Sequence, residues 1–264
     1  MSPGGVSRAG DPIIGRAMSA YLERLTWTEA ARLLTPQCVV LIPLGAAAKE
    51  HGPHLPLDND RTLAEYLARR VADSAEVIVA PTISYHYYPA FVEYPGSTTL
   101  RLETARDLVV DIAASLAAFG PRRFYVLNTG VSTLKPLQQA ANELAARGVL
   151  LRYTDIIAAG RQAAHSVREQ AGGTHADEIE TSMMLYIAPQ SVDMSKAAKD
   201  FRPGSGRLTR SDSGQGVYSP TGIYGDATLA TAAKGEVVVE AMVRNIASDV
   251  AALHAATLPE AGNG

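Results

Sequence analysis

Short apolar runs alternate along this chain with segments whose apolar residues recur at helical spacing, and that alternation restricts the fold more than any other feature. Cys38 to Leu44 reads as a buried strand; a helical pattern follows from about Asn59 to Asp73, then a second apolar run, Val77 to Pro81. Leu102 to Phe119 has helical period and stops at Gly120-Pro121, after which Phe124 to Leu127 is strand-like. A helix from about Thr133 to Arg147, a strand from Val149 to Tyr153 and a further helix continue the pattern. Strands separated by helices pair in parallel and need cover on both faces. The chain is therefore predicted to be α/β, a three-layer α/β/α sandwich around a mostly parallel sheet. A last long helix is predicted from about Ala227 to Ala256, with Asp226 as its cap.

With 264 residues, 47% of them hydrophobic, the chain can bury one substantial core, so residues 21–264 are expected to form a single domain. Residues 1–20 read as an N-terminal arm, because the glycine-rich start lacks the apolar block of a secretory signal. The balance of 24 basic and 27 acidic residues, with no basic tract, argues against a nucleic-acid partner. No run approaches the roughly 18 apolar residues that cross a bilayer, so no membrane partner is expected. Cys38, the one cysteine, sits in an apolar run and has no partner for an internal disulfide, which suits a reducing compartment; a cytoplasmic location is expected. The polar, Gly/Ser-rich stretch Arg202 to Gly216 reads as a surface loop, a lid or a subunit contact.

Chemistry concentrates just after the first strand. Lys49 to Asp60 holds two histidines and three carboxylates in twelve positions, at the carboxyl end of a strand where open α/β folds build their sites. His51 and Asp60 suit Zn, Mn or Fe as ligands, or else hydrogen-bond the loop. Glu50, adjacent on an extended segment, points away from His51 unless the loop turns it inward. His54 reads as a structural histidine. Between His175 and Ser182, helical spacing places His175 and Glu178 on one face and Glu180 elsewhere. His175 is a candidate general acid/base, or a capping histidine. Tyr85-His86-Tyr87-Tyr88, with Phe91 and Tyr94, would wall a pocket for a flat ligand or pack an oligomer contact. Asn128-Thr129-Gly130 can offer backbone amides to a substrate oxygen or simply turn from strand to helix. No phosphate-cradling glycine loop and no Gly-x-Ser-x-Gly elbow is present.

Pro43-Leu44-Gly45 followed by His51-Gly52-Pro53-His54-Leu55-Pro56-Leu57 and Asp60 resembles the signature of the creatininase (creatinine amidohydrolase) family. Tyr94-Pro95-Gly96-Ser97 is similar to the family's Phe-Pro-Gly-Thr segment, and His175-Ala176-Asp177-Glu178-Ile179-Glu180-Thr181-Ser182 to its His-Ala-Gly-Glu-x-Glu-Thr-Ser helix. Gly222 to Gly225 continues the likeness. The resemblance implies a homo-oligomeric α/β/α enzyme that hydrolyses a carbon–nitrogen amide bond in small or cyclic substrates at a dinuclear metal centre. Three positions depart from the pattern: Lys49 replaces a ligand glutamate, Gly130 a ligand histidine and Ser132 a ligand glutamate. The first metal site then keeps only the shared Asp60, while the second keeps His51 and Asp60 with Glu180 as the nearest substitute ligand. The cofactor expected is one divalent ion, Zn, Mn or Fe, or none. Lys49 would supply part of the missing positive charge. The candidate set is thus His175, Glu178 and Lys49 as catalytic; His51, Asp60, Glu180 and Glu50 as metal ligands; and Tyr85, His86, Tyr88, Asn128, Thr129 and Ser132 toward a small-molecule amide substrate. The alternative is a catalytically silent member that binds a small ligand or partner through the same cleft.

Overall fold

A computed structural model describes residues 19–212 and 215–262. The predicted arm lies almost wholly outside the described residues. The chain runs through β1 (Ala20–Tyr21), α1 (Trp27–Leu33), β2 (Val39–Leu44), α2 (Asn59–Ala72), β3 (Ile78–Val79), α3 (Leu102–Ala117), β4 (Arg123–Asn128), α4 (Leu134–Ala145), β5 (Leu150–Tyr153) and α5 (Ile156–Val167). It continues through α6 (Glu178–Ile187), β6 (Lys199–Asp200), β7 (Leu208–Thr209), β8 (Val217–Tyr218), β9 (Gly225–Asp226) and α7 (Ala232–His254). The first five strands form one sheet in the order β1-β3-β2-β4-β5, every pair parallel.

Strand β2 shows why three layers form. All six of its residues are buried, and because side chains alternate across a pleated strand they feed two different cores. Val39 and Leu41 pack with Leu63 and Leu67 of α2, Ile179 and Met183 of α6 and Val239 of α7. Val40, Ile42 and Leu44 pack with Val109 and Ala113 of α3 and Leu137 and Ala140 of α4. Each such aliphatic side chain removed from water contributes about 1.5–3 kcal/mol. Pro43 is tolerated in this central strand because its carbonyl accepts from Ile83 N–H at 2.9 Å, so its missing donor faces the side where β3 has already ended. Helices α6 and α7 meet closely at Gly235, where a Cβ would lie 1.9 Å from the Ser182 carbonyl oxygen.

Two expectations for the helices need correction. Asp226 caps only a short 3-10 turn, Ala227–Leu229, through Thr228 N–H; the chain then breaks and α7 starts at Ala232, capped by the Thr231 hydroxyl. The helical spacing read from His175 to Ser182 holds only from Glu178, because Ala176 has φ of +47° and Asp177 caps Ile179 and Glu180 with its carboxylate. The stretch read as a loop, Arg202 to Gly216, contains β7, which pairs in parallel with β8. Among the described residues no helix is long and apolar enough to cross a membrane.

The connection after β2 leads to one side of the sheet and the connection after β3 returns to the other. The carboxyl ends of β2 and β4 therefore flank a topological switch point, where chain ends diverge and leave a crevice.

Candidate metal centre

The loop leaving β2 folds straight back on the start of α2. Gly45 permits this, since a Cβ there would lie 2.3 Å from the Asp60 carbonyl oxygen, and Arg61 N–H donates to the Ala46 carbonyl. The fold-back brings Asp60, in the first turn of α2, against the loop's own basic groups. Lys49 Nζ lies 2.7 Å from Asp60 Oδ2 and His51 Nε2 lies 2.9 Å from Oδ1. All three side chains are buried. Burial alone would raise the Asp60 pKa, but the Lys49 charge and then His51 override it and hold the carboxyl well below the usual carboxylate range. The ammonium also lies 4.8 Å from the centre of the Phe91 ring and 5.8 Å from that of Tyr88, so aromatic faces share its desolvation.

His51 Nδ1 faces the Lys49 carbonyl at 3.0 Å, which fixes the ring and leaves Nε2 directed at Asp60. Five ångströms away, centre to centre, stands the His175 ring. It is held by a bridge to Tyr224, whose N–H donates to the His175 carbonyl at 2.8 Å, and by Phe91, whose ring centre is 4.3 Å away. The loop does turn Glu50 inward: its Oε1 accepts from His175 Nε2 at 2.7 Å and its Oε2 from Gly52 N–H at 2.9 Å. Burial opposes the Glu50 charge, yet His175 outweighs it and the Glu50 pKa falls; reciprocally, Glu50 raises the pKa of His175 against the effect of burial. Ser97 accepts from Glu50 N–H, and Gly222, at φ +80°, leaves the space into which Glu50 fits. Glu180 Oε2 accepts from Ala176 N–H at 2.5 Å and lies 3.6 Å from His175 Nδ1. One donor atom each from His51, His175 and Glu180 lie within 4.8 Å of one another. His175 and Glu180, with Lys49, Phe91 and Thr129, line a cavity of about 620 Å³ walled on another side by α5.

Four sequence motifs therefore meet at one point: the Lys49–Asp60 loop, Ser97, the His175–Glu180 turn and Gly222. A family model for creatinine amidohydrolase matches residues 23–250. The chain belongs to the creatininase family. It is similar to the mycofactocin precursor peptide peptidase of Mycobacterium tuberculosis, at 30% identity over 91% of this chain and 92% of the relative. It is also similar to the creatinine amidohydrolase of Pseudomonas putida, at 28% over 88% and 96%. Among solved structures, a creatininase matches with TM-score 0.75 at 24% identity over 90% of this chain and 99% of the other, a likeness of fold. A creatininase mutant of Zn-Zn type matches with TM-score 0.72 at 25% identity over 88% and 97%.

Among the described residues one group could hold a divalent ion, once His51 Nε2 turns from Asp60 to the ion. His51, His175 and Glu180 offer two imidazoles and a carboxylate at compatible spacing, whereas the free side of Asp60 is already filled by the Lys49 ammonium. A Cβ on Gly130 would meet Thr133 at 3.0 Å and Tyr88 at 3.3 Å, so a side chain there would crowd both. The group differs from the expected ligands by bringing in His175; Asp60 stands behind it, on His51.

Other expected residues sit elsewhere. Glu178 does not share a face with His175, because the positive φ at Ala176 breaks the helical spacing. Its buried carboxylate instead accepts from the backbone of Glu169 and Gln170 and from Lys234 Nζ at 2.6 Å, pinning α6 to α7. The backbone amides expected at a substrate are taken, Thr129 N–H by the Leu44 carbonyl and Gly130 N–H by Asn128 Oδ1, and the Asn128 side chain is filled as well, accepting also from Thr133 Oγ1 and donating to the carbonyls of Gly130 and Thr154. Tyr85 is exposed outside the cavity, and His86 is buried against the Ala105 carbonyl. Tyr88 is buried beneath Lys49 with its hydroxyl unpartnered. Thr129 and Ser132 do line the cavity, though their hydroxyls donate to backbone carbonyls. His54 lies behind the centre, on Thr181. The sequence reading missed Tyr224 and the α5 wall, and gave Phe91 no role at His175; the apolar period of α5 marked a helix without marking which end of it would reach the crevice.

Proposed function

We propose that the chain is a metal-dependent amidohydrolase that cleaves a C–N bond of a small-molecule amide at a one-ion centre. The observation that carries this is the convergence of His51, His175 and Glu180 at the floor of a cavity that His175 and Glu180 line and that is roomy enough for a drug-sized ligand, the usual range being roughly 300–1,000 Å³. A divalent ion, Zn or Mn by analogy with the creatininases, would supply polarisation of an amide carbonyl or a more acidic water when bound. The chain's own residues do the rest. The Lys49 carbonyl orients His51 and Glu50 takes the Nε2–H of His175, which leaves Nδ1 toward Glu180 and the cavity. That atom is the one a proton-transferring His175 would also need, so the grouping with Glu180 favours the ligand role. Lys49 keeps Asp60 ionised behind His51. Phe91 shields the histidine from water.

Both relatives support hydrolysis of an amide-type bond, one in a peptide precursor and one in creatinine. The cavity favours a substrate larger than a single small ring. A second reading, a silent binding protein, is favoured by the way Lys49, Asp60, Glu50 and His175 satisfy one another without an ion. Elemental analysis decides. One Zn or Mn per chain, lost in His51→Ala and in Glu180→Gln together with chelator-sensitive amidase activity, is the expected result. A folded protein that takes up no ion from excess Zn or Mn would sink the hydrolase and leave the binder.

A further inference from the structure

The α5 wall carries three basic side chains on one stripe. Arg161, His165 and Arg168 are spaced four and three residues apart, the helical spacing that aligns side chains, and all three are exposed along the same cavity that holds His175 and Glu180. None of them lies in an ion pair among the described residues, although acids are close by. Glu169 and Glu178 are both taken by Lys234 at 2.6 Å. Asp155 caps the start of α5, and Asp177 caps α6 and accepts from Gln170 Nε2 at 2.6 Å. Of the two carboxylates lining the cavity, Asp177 is thus buried and occupied, and Glu180 belongs to the donor set. The lining near the stripe is apolar: Ile156, Gly160, Ala164 and Met183.

We propose that Arg161, His165 and Arg168 form an anion-binding rim that holds a carboxylate or phosphate group at one end of the ligand, with an apolar stretch between that group and the His51–His175–Glu180 cluster. Guanidinium groups suit both anions, since their planar fork matches two oxygens at once. Combined with the hydrolase reading, on which this second step rests, the rim defines the substrate class as an amide with an apolar middle and an anionic end.

The test uses the full chain after chelator treatment, so that no ion competes for the anion, with octanoate, octanol and inorganic phosphate as calorimetric probes. Octanoate should bind at least tenfold more tightly than octanol, the preference should fall as sodium chloride is raised from about 20 to 500 mM, and it should vanish in Arg161→Gln/Arg168→Gln. That pattern identifies a carboxylate. Phosphate binding that is salt-sensitive and lost in the double variant, without a preference for octanoate, identifies a phosphoryl group instead. Equal binding of octanoate and octanol with no phosphate binding, or anion binding unchanged in the double variant, overturns the rim. Metal content measured on the same preparations before chelation separates the two ideas: an ion without anion binding removes the rim alone, and anion binding without an ion removes the hydrolase alone.

Discussion

The floor and the wall of the cavity handle charge in opposite ways. On the floor Lys49 and His175 line the cavity and are paired with Asp60, His51 and Glu50 buried behind them; on the wall Arg161, His165 and Arg168 are exposed and paired with nothing among the described residues. A buried charge must find its counterpart within the protein or cost several kcal/mol, whereas water supports an exposed one at little cost. The floor's charges are therefore part of what holds the loop in place, and the wall's charges are free to serve something that arrives.

The largest effect should come from breaking the floor. Lys49→Met leaves the Asp60 carboxylate buried with only His51 beside it, and should cost about 3–5 kcal/mol in denaturant unfolding. Lys49→Met/Asp60→Asn removes both charges and should recover more than half of that loss. A double variant as unstable as the single one would mean that Lys49 contributes packing alone and that the pair is no substitute for a cation.

Buried histidines sharpen the contrast through pH. Burial pushes His86 down to about 4, from an ordinary value near 6.5, with its Nε2–H given to the Ala105 carbonyl. Between those two values the unfolded chain binds the proton and the folded chain does not. Stability is thus full above pH 6.5 and declines as pH falls toward 4, by up to about 3 kcal/mol for this one group. His86→Gln keeps a donor for Ala105 and cannot titrate, so its stability should change less between pH 7 and 4.5 than that of the wild type. Equal acid sensitivity in the two proteins would place the titration elsewhere.

The Glu178 carboxylate is a smaller test of the same kind. It is fully buried and bound to two backbone N–H groups and Lys234. Glu178→Gln should lower stability by about 1–3 kcal/mol while leaving whatever metal content the wild type has unchanged. Loss of the ion would return Glu178 to the metal centre.

What the sequence disclosed and what it hid divide along the same line. The alternation of apolar runs and helical periods locates β2, α2, α3, β4, α4 and β5 to within a few residues, because burial on both faces leaves a pattern in the residues themselves. The site was legible in part: His51 and Glu180 do fall in one group, but His175 stands where Asp60 was expected, and Asp60 lies behind His51. Glu178 was misplaced because one backbone angle, at Ala176, cancels a helical register that composition alone supports. Asn128 was misplaced because hydrogen-bond satisfaction by Thr133 and Thr154 depends on neighbours that only the fold brings together. The wall was missed for a simpler reason: exposed basic residues on a helix look the same whether they face solvent or a cavity.

The wall should show almost no effect on stability. Arg161→Gln and Arg168→Gln each remove an exposed charge with no partner and no buried contact of the head group, so each should shift the unfolding free energy by no more than about 0.5 kcal/mol. The same substitutions should reduce anion binding at least tenfold in combination. A structural helix surface predicts neither loss, and a helix surface needed for folding predicts both. Only a surface kept charged for a ligand predicts loss of binding at unchanged stability, so unfolding curves run beside the anion titrations distinguish the three. If either arginine proves to be worth more than about 1 kcal/mol to folding, the contrast between floor and wall fails, and the stripe on α5 becomes part of the scaffold.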